Sequence, residues 1–390
     1  MKLLLCFILV AGNGSAAGNS KWEFWSEQRK GANAFNERMT EKWFAAAADL
    51  GLEFVRMTPD WWKADERDFL LGNSSKFEKI NEADFAELKR VLDLAEKHGV
   101  KIVLSMVSLP GARNRQFNGN KFDYRLWTAE KYQVQAMAFW RELAGRLKGH
   151  PAIVAYNPLN EPHPARKFGF EGENTGEFAK WYEKKRGTTW DLNRFNDRMV
   201  KAIRDVDAST PILLDCWFHA GPKGFEFLEP LDDGNTLYSF HVYEPWNFTT
   251  HRINKGRYSY PDAMPKWWDG PTERWTKATM RGRLEAVLEW AKRRRMPPNR
   301  IVVGEFGCDR RTKGARQYLA DWIELFNAKG WHWAFYAYRE DKWMAMDYEL
   351  GTGGVGWDYW KAIDRGEKPE KPRKDNPLWE VIKREFTGSK

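Results

Sequence analysis

The chain has 390 residues, 63 of them basic and 54 acidic, for a formal net charge of +9. The basic residues are interspersed with acidic ones, and the densest run, 292–295, follows a helical pattern whose C-terminus favours cations; with no nucleic-acid motif beside it, the charge does not make a nucleic-acid binder. Three cysteines exclude a disulfide scaffold, and no stretch after residue 17 is long or apolar enough to cross a bilayer.

In chain order, residues 1–17 read as a secretory signal. Lys2 supplies positive charge, LLLCFILV a short apolar core, and Ser15-Ala16-Ala17 a cleavage-like site. The expectation is a secreted or periplasmic protein in which residues 18–390 form one domain. Apolar, β-favouring runs follow at 30–36, 54–58, 101–107, 153–157, 212–215, 237–243, 301–305 and 333–338. Helical patterns lie between them at 40–50, 82–98, 129–147, 192–206, 273–294 and 314–328, with a last one at 378–386. Asn81 and Thr128 suit helix N-caps, and Gly51, Gly99 and Gly330 suit the position just past a helix end.

The strand runs are apolar without clean alternation, as in a parallel sheet buried on both faces. Alternating β and α predicts an α/β fold, and eight repeats predict a closed (β/α)8 TIM barrel. Polar stretches at 61–81, 162–190 and 244–272 are then insertions in the βα loops, on the face that carries the chemistry in such barrels. No G-x-G-x-x-G opens a helix after a strand, so a dinucleotide fold has no support.

Two glutamates stand where a strand run stops: Glu161 in IVAYNPLNEPHP and Glu305 in IVVGEFG. Only a fold with both strand ends in one mouth brings them together, and the barrel does so. A pair of carboxyl groups there predicts an acid/base and a nucleophile for breaking a glycosidic bond. Companions strengthen the pair. Asn160 precedes Glu161 and can bond a sugar hydroxyl. Arg56, charged within the apolar EFVRMTP, needs a buried partner, and an ionised carboxylate is a natural one. His241 and Tyr243 in FHVYEP share one strand face by their spacing, and a Tyr hydroxyl there can orient the nucleophile.

Tryptophan is abundant, with 22 in the chain. Those in loop-like contexts, Trp61, Trp62, Trp246, Trp267, Trp268 and Trp343, offer flat faces for sugar rings. Cys216 follows the fifth strand and Cys308 the seventh. Two strand spacings of about 4.8 Å exceed the roughly 7 Å reach of a disulfide, so both thiols are expected free. There is no metal-binding Cys–His spacing and no H-E-x-x-H.

NEPHP, the FHVYEP block, Arg56 in VRM and the GEFG strand together resemble glycoside hydrolase family 5, the cellulase-type barrel enzymes, over residues 31 to 351 or so. The resemblance implies that Glu161 is the acid/base and Glu305 the nucleophile of a retaining mechanism. It gives Arg56, Asn160, His241 and Tyr243 sugar-contacting and orienting roles. The expected activity is endo-β-1,4-glucanase, with no metal or organic cofactor, a polysaccharide or oligosaccharide substrate, no nucleic-acid or membrane partner, and a monomeric state. The alternatives are another β-glycan (mannan, β-1,3-glucan or short β-glucosides) or a non-catalytic carbohydrate-binding protein. Two places depart from the family pattern. Val107 in VLSMVSLPG stands where many members have a histidine, leaving Ser105, Ser108, Asn114 or His163 to substitute. WAFYAYREDKW leaves Tyr336, Tyr338 or Trp343 where many members have a tryptophan. Both departures bear on the substrate more than on the reaction.

Overall fold

The computed structural model describes residues 20–36, 38–62, 67–172, 175–265, 270–342 and 345–388. The signal-like segment 1–17, Trp267, Trp268 and Trp343 lie outside the described residues. The described residues contain ten strands: β1 Lys30–Ala34, β2 Phe54–Met57, β3 Lys101–Ser105, β4 Ile153–Asn157, β5 Ile212–Asp215, β6 Thr236–Val242, β7 Asp262–Pro265, β8 Thr272–Trp275, β9 Ile301–Phe306 and β10 His332–Phe335. Eight of them close into a barrel in the order β1-β10-β9-β6-β5-β4-β3-β2, with every neighbour parallel. Among the described residues, no helix is long and apolar enough to cross a membrane.

The two faces of each strand explain why the runs look continuously apolar. Outward residues such as Val55, Ile102, Leu104 and Leu214 pack under the helices in the main core. Inward residues change character along the barrel axis. Phe54, Val103, Val154, Ala155, Leu213, Leu237, Val302 and Ala334 form an apolar lower layer. Two residues further along their strands stand Arg56, Ser105, Asn157, Asp215 and Ser239, all buried. The sequence therefore builds an apolar floor and, one pleat above it, a dry polar layer at the carboxyl ends of the strands.

The floor is closed by a residue before β1. Trp25 is wholly buried in the lower layer, edge-on to Phe54 and His332. Its indole N–H donates to the Val154 carbonyl at 3.0 Å, so a large apolar group caps the barrel without leaving a polar atom unpaired.

The helices follow the expected caps in most places. Asn81 accepts from the Asp84 N–H to start Glu82–Lys97, and Gly51 ends Glu41–Leu50 in the left-handed region at φ 85°. Gly99 and Gly330 are left-handed as well. Thr128 does not cap. It ends the short helix Arg125–Thr128, and Glu130–Leu147 begins after Ala129 with no side-chain cap.

The helix expected over 273–294 is also corrected. Its first residues form β8, paired antiparallel with β7, because Trp275 is wholly buried from an extended backbone. Thr276 then caps Lys277–Arg283, and a second helix, Glu285–Arg294, follows Leu284. The insertion at 162–190 carries a helix, Thr175–Glu183, that the sequence reading did not contain. Cys216 and Cys308 are free and buried.

Candidate active site

The polar layer meets at Arg56, which is wholly buried. Its Nη1 donates to Glu305 Oε1 at 2.7 Å and to Asn33 Oδ1 at 3.3 Å. Its Nη2 donates to Asn157 Oδ1 and Asn160 Oδ1, each at 2.6 Å, and to Asp215 Oδ2 at 3.2 Å. A buried guanidinium needs such a full set of acceptors. β1, β2, β4, β5 and β9 each supply one, or the arginine itself, so the site is tied to rigid strands. Because Asn160 offers its carbonyl to Arg56, its amide N–H groups are left to donate elsewhere.

Glu305 is buried and doubly held, accepting from Arg56 and from the Tyr243 hydroxyl at 2.7 Å. Burial raises its carboxyl above the usual range, while His241, Arg56 and the Tyr243 hydroxyl pull it back. Burial and the neighbouring carboxylate push the Tyr243 phenol well above its ordinary value, so it stays a donor.

Glu161 is held differently. Its side chain keeps 30% exposure, and its backbone has φ 50°, a strained value for a residue with a side chain. Asp215 accepts the Glu161 N–H at 3.0 Å and stabilises that turn. Glu161 Oε1 lies 2.8 Å from His241 Nδ1. Burial first, then the charge of Asp215, push the Glu161 carboxyl up to about 8, against the opposing pull of Arg56. Burial also lowers the pKa of His241, against the opposing pull of Glu305 and Asp215.

Carboxylate oxygens of Glu161 and Glu305 and a ring nitrogen of His241 all lie within 4.8 Å of one another. Close approach of β6 and β9 makes this possible. A Cβ on Gly304 would fall 2.5 Å from Ser239 Oγ and 2.8 Å from His241 Nε2, and the β6–β9 register shifts at this level. Glycine in GEFG is thus required for His241 to reach Glu161. The result is a carboxylic acid that stays protonated near neutrality beside a carboxylate whose ionised form is hydrogen-bonded. Such a pair can protonate a leaving oxygen while presenting a nucleophile.

The remaining expected site residues lie around this cluster or apart from it. Trp246 is half-buried at the mouth, edge-on to Tyr243 with ring centroids 6.5 Å apart. Trp61 is half-buried against Phe117, and Trp62 is buried. Tyr336 is buried in the wall, where its hydroxyl donates to Glu340 at 2.9 Å and accepts from Asn36 at 3.0 Å. Tyr338 is buried against Trp379 and Trp43. His163 packs beside His219 instead of at the Glu161 carboxylate. At the third strand, Ser105 donates to Asn157 at 2.7 Å, and Ser108 accepts from the Asn114 N–H.

Asn33, Asn157 and above all Asp215 are site residues that the sequence reading missed. The signal for Asp215 was present: a charged residue closing the apolar run ILLD, as Glu161 and Glu305 close theirs.

The barrel and its paired carboxyl groups define a glycoside hydrolase. The chain belongs to the cellulase family, glycosyl hydrolase family 5, whose pattern matches residues 15–342. Endoglucanase C of Acetivibrio thermocellus is 22% identical over 348 residues, covering 84% of this chain and 85% of that protein. A beta-xylosidase of Phanerodontia chrysosporium is 24% identical over 277 residues, 67% of this chain. The match spans half the length of that xylosidase. Among solved structures, endoglucanase Cel5A of Thermotoga maritima shares the fold with a TM-score of 0.63 at 17% identity, over 93% of this chain and 99% of that one.

Proposed function

We propose that this hydrolase cleaves β-linked glucan internally, with retention of configuration, through a covalent glycosyl-enzyme intermediate. The observation that carries the mechanism is the separation of the carboxyl oxygens of Glu161 and Glu305, within 4.8 Å. That spacing leaves no room for a water between the second carboxylate and the sugar and matches the roughly 5 Å of retaining enzymes. Glu305, hydrogen-bonded as an anion, is the nucleophile. Glu161, held protonated, donates to the leaving oxygen and later takes a proton from water. Arg56 and Tyr243 orient Glu305, and Asn160 directs its amide to the sugar. Similarity to endoglucanases along most of the chain supports glucan as the polymer, and Trp61 and Trp246 at the rim supply platforms for successive sugars. The signal-like residues 1–17 support export, secreted or periplasmic.

Proton NMR of the first products from a panel of β-glucan, mannan, xylan and β-1,3-glucan tests the reading. The expected result is β-anomer from internal cuts in β-1,4-glucan; initial α-anomer refutes the mechanism, and preference for another polymer refutes the substrate.

A further inference from the structure

In a retaining hydrolase the acid touches the leaving sugar, so the loops around Glu161 form the leaving-group side of the cleft. This inference rests on Glu161 being that acid. The loops are 161–172 after β4 and 216–221 after β5, with 115–124 after β3 laid against them. They carry an unusual set of charges. Arg166 stands over one ring, Phe122, at 4.5 Å, and Arg115 approaches the same ring at 5.2 Å. Lys167 lies 5.2 Å from the centre of the Tyr124 ring, which stacks on Phe122 at 5.9 Å. Phe122 is itself 38% exposed.

The acidic residues nearby do not balance these cations. Asp123 is engaged by Arg125 at 2.7 Å. Glu171 meets Arg166 at 3.2 Å. Arg115 donates only to oxygens of Asn120, and among the described residues no carboxylate pairs with it or with Lys167. One aromatic ring therefore carries two guanidinium groups, of which only that of Arg166 meets a carboxylate, Glu171.

This cluster is coupled to the acid itself. Arg166 Nη1 lies 3.0 Å from His219 Nε2. A guanidinium can only donate, so that nitrogen accepts and the proton sits on Nδ1. Burial holds the His219 pKa well below the ordinary value, against a smaller opposing pull from the Glu161 main chain, so the ring is neutral. His219 is fixed in a strained turn: Phe218, His219 and Ala220 all have positive φ, at 60°, 53° and 58°. Strain of this kind persists where the surroundings impose it, and it concentrates at functional sites. His163 packs edge-on to His219 with ring centroids 4.4 Å apart, its side chain 3% exposed and both ring nitrogens without a hydrogen-bond partner. His163, Glu171 and His219 have the donor types for a metal ion, but Arg166 already supplies the cation there.

We propose that this wall is a subsite for an anionic sugar in the leaving-group position, a uronosyl unit whose carboxylate is gripped by Arg166 and Arg115. The guanidinium plane matches a carboxylate in two-point contact, whereas a neutral sugar offers single hydroxyl acceptors and no charge to Arg115, which no carboxylate among the described residues meets. A sulfate ester has the same chemistry and is the other source to separate.

Three disaccharides test this: cellobiose, glucosyl-β-1,4-glucuronate, and cellobiose carrying a 6-sulfate on the leaving unit. Wild-type kcat/KM is measured on each, and binding is measured by calorimetry on the Glu305→Gln variant. The uronate is expected to be preferred at least tenfold over cellobiose, with the preference falling as salt is raised. In the Arg115→Met/Arg166→Met double variant the ratio should collapse to near one, and in Arg115→Met alone, an exposed position, it should fall part of the way. A larger preference for the sulfate supports the subsite and names the ester as its ligand. Equal treatment of all three, or a preference that survives in the double variant, overturns the proposal. If wild type turns over none of the three disaccharides, the calorimetric ratio decides the subsite, while the glucan reading stands or falls on the polymer panel.

Discussion

Asp215→Asn removes one buried charge from beside the acid while keeping an oxygen that can accept the Glu161 N–H. Asp215 Oδ2 stands 3.6 Å from His241 Nε2, and His241 Nδ1 stands 2.8 Å from Glu161 Oε1. Across one imidazole the two carboxylates are roughly 8 Å apart at most, and at an effective dielectric of ~20 a unit charge at that distance is worth about 2 kcal/mol. At about 1.4 kcal/mol per unit, this shifts a pKa by roughly 1.5. The sign follows from the role of Glu161. It acts as an acid only when protonated, and in the wild type burial and Asp215 hold it protonated up to about 8. Without the Asp215 charge the proton leaves earlier, so the alkaline limb of kcat/KM moves to lower pH by roughly 1 to 1.5 units. The burial contribution stays, so the limb does not fall to that of a free carboxyl. The assay is a pH profile on a β-glucoside with a poor leaving group, alongside one with a nitrophenolate leaving group that needs little protonation. An alkaline limb that stays in place or moves upward refutes the electrostatic argument. Equal shifts on both substrates would move the effect from the acid to the nucleophile.

Glu161→Ala should slow poor leaving groups by about 10²–10⁴-fold and good ones much less, since protonation matters most where the leaving oxygen is basic. Glu305→Ala should slow both classes alike, and equal leaving-group sensitivity in the two variants would contradict the roles. Trp246→Ala should raise KM on long glucans about fivefold, the equivalent of one stacking contact near 1 kcal/mol, with less effect on aryl glucosides; identical effects on both would remove Trp246 from the groove. Trp25→Ala opens the barrel floor and should cost about 3–5 kcal/mol in urea denaturation, and a loss below 1 kcal/mol would show that the floor collapses around the gap.

The barrel was legible because its strands are buried on both sides. Runs such as FVRM, KIVLS and IVVGEF have apolar outward residues throughout, so their bounds were read to within a residue or two. The β7–β8 hairpin was hidden for the opposite reason. TERW has three exposed residues and one buried one, and a single anchor carries no period to set strand against helix. Trp25 was missed because its burial is created by residues of seven strands, β2 to β6, β9 and β10, none near it in sequence. Nothing local marks a tryptophan that fills a hole made elsewhere.

The site was legible only where a charge interrupted an apolar run and a neighbouring motif gave it a reason. Arg56, Glu161, His241, Tyr243 and Glu305 met that test. Asp215 met the first half alone, with no H-x-Y or N-E-P beside it, although it meets Arg56, Asn157 and the Glu161 N–H. Its importance comes from layering. β5 places Asp215 two residues above Leu213, as β2 places Arg56 two above Phe54 and β4 places Asn157 two above Ala155. Any polar residue one pleat above the apolar floor must point into the same buried layer, where it is satisfied by the others there and by strand carbonyls. Asn33, Arg56, Asn157 and Asp215 are therefore one hydrogen-bonded unit, and Glu305 and Glu161 are set apart within it by what each meets: Arg56 and Tyr243 for the anion, Asp215 for the acid. The opposed environments of two chemically identical side chains follow from which strand end each one leaves.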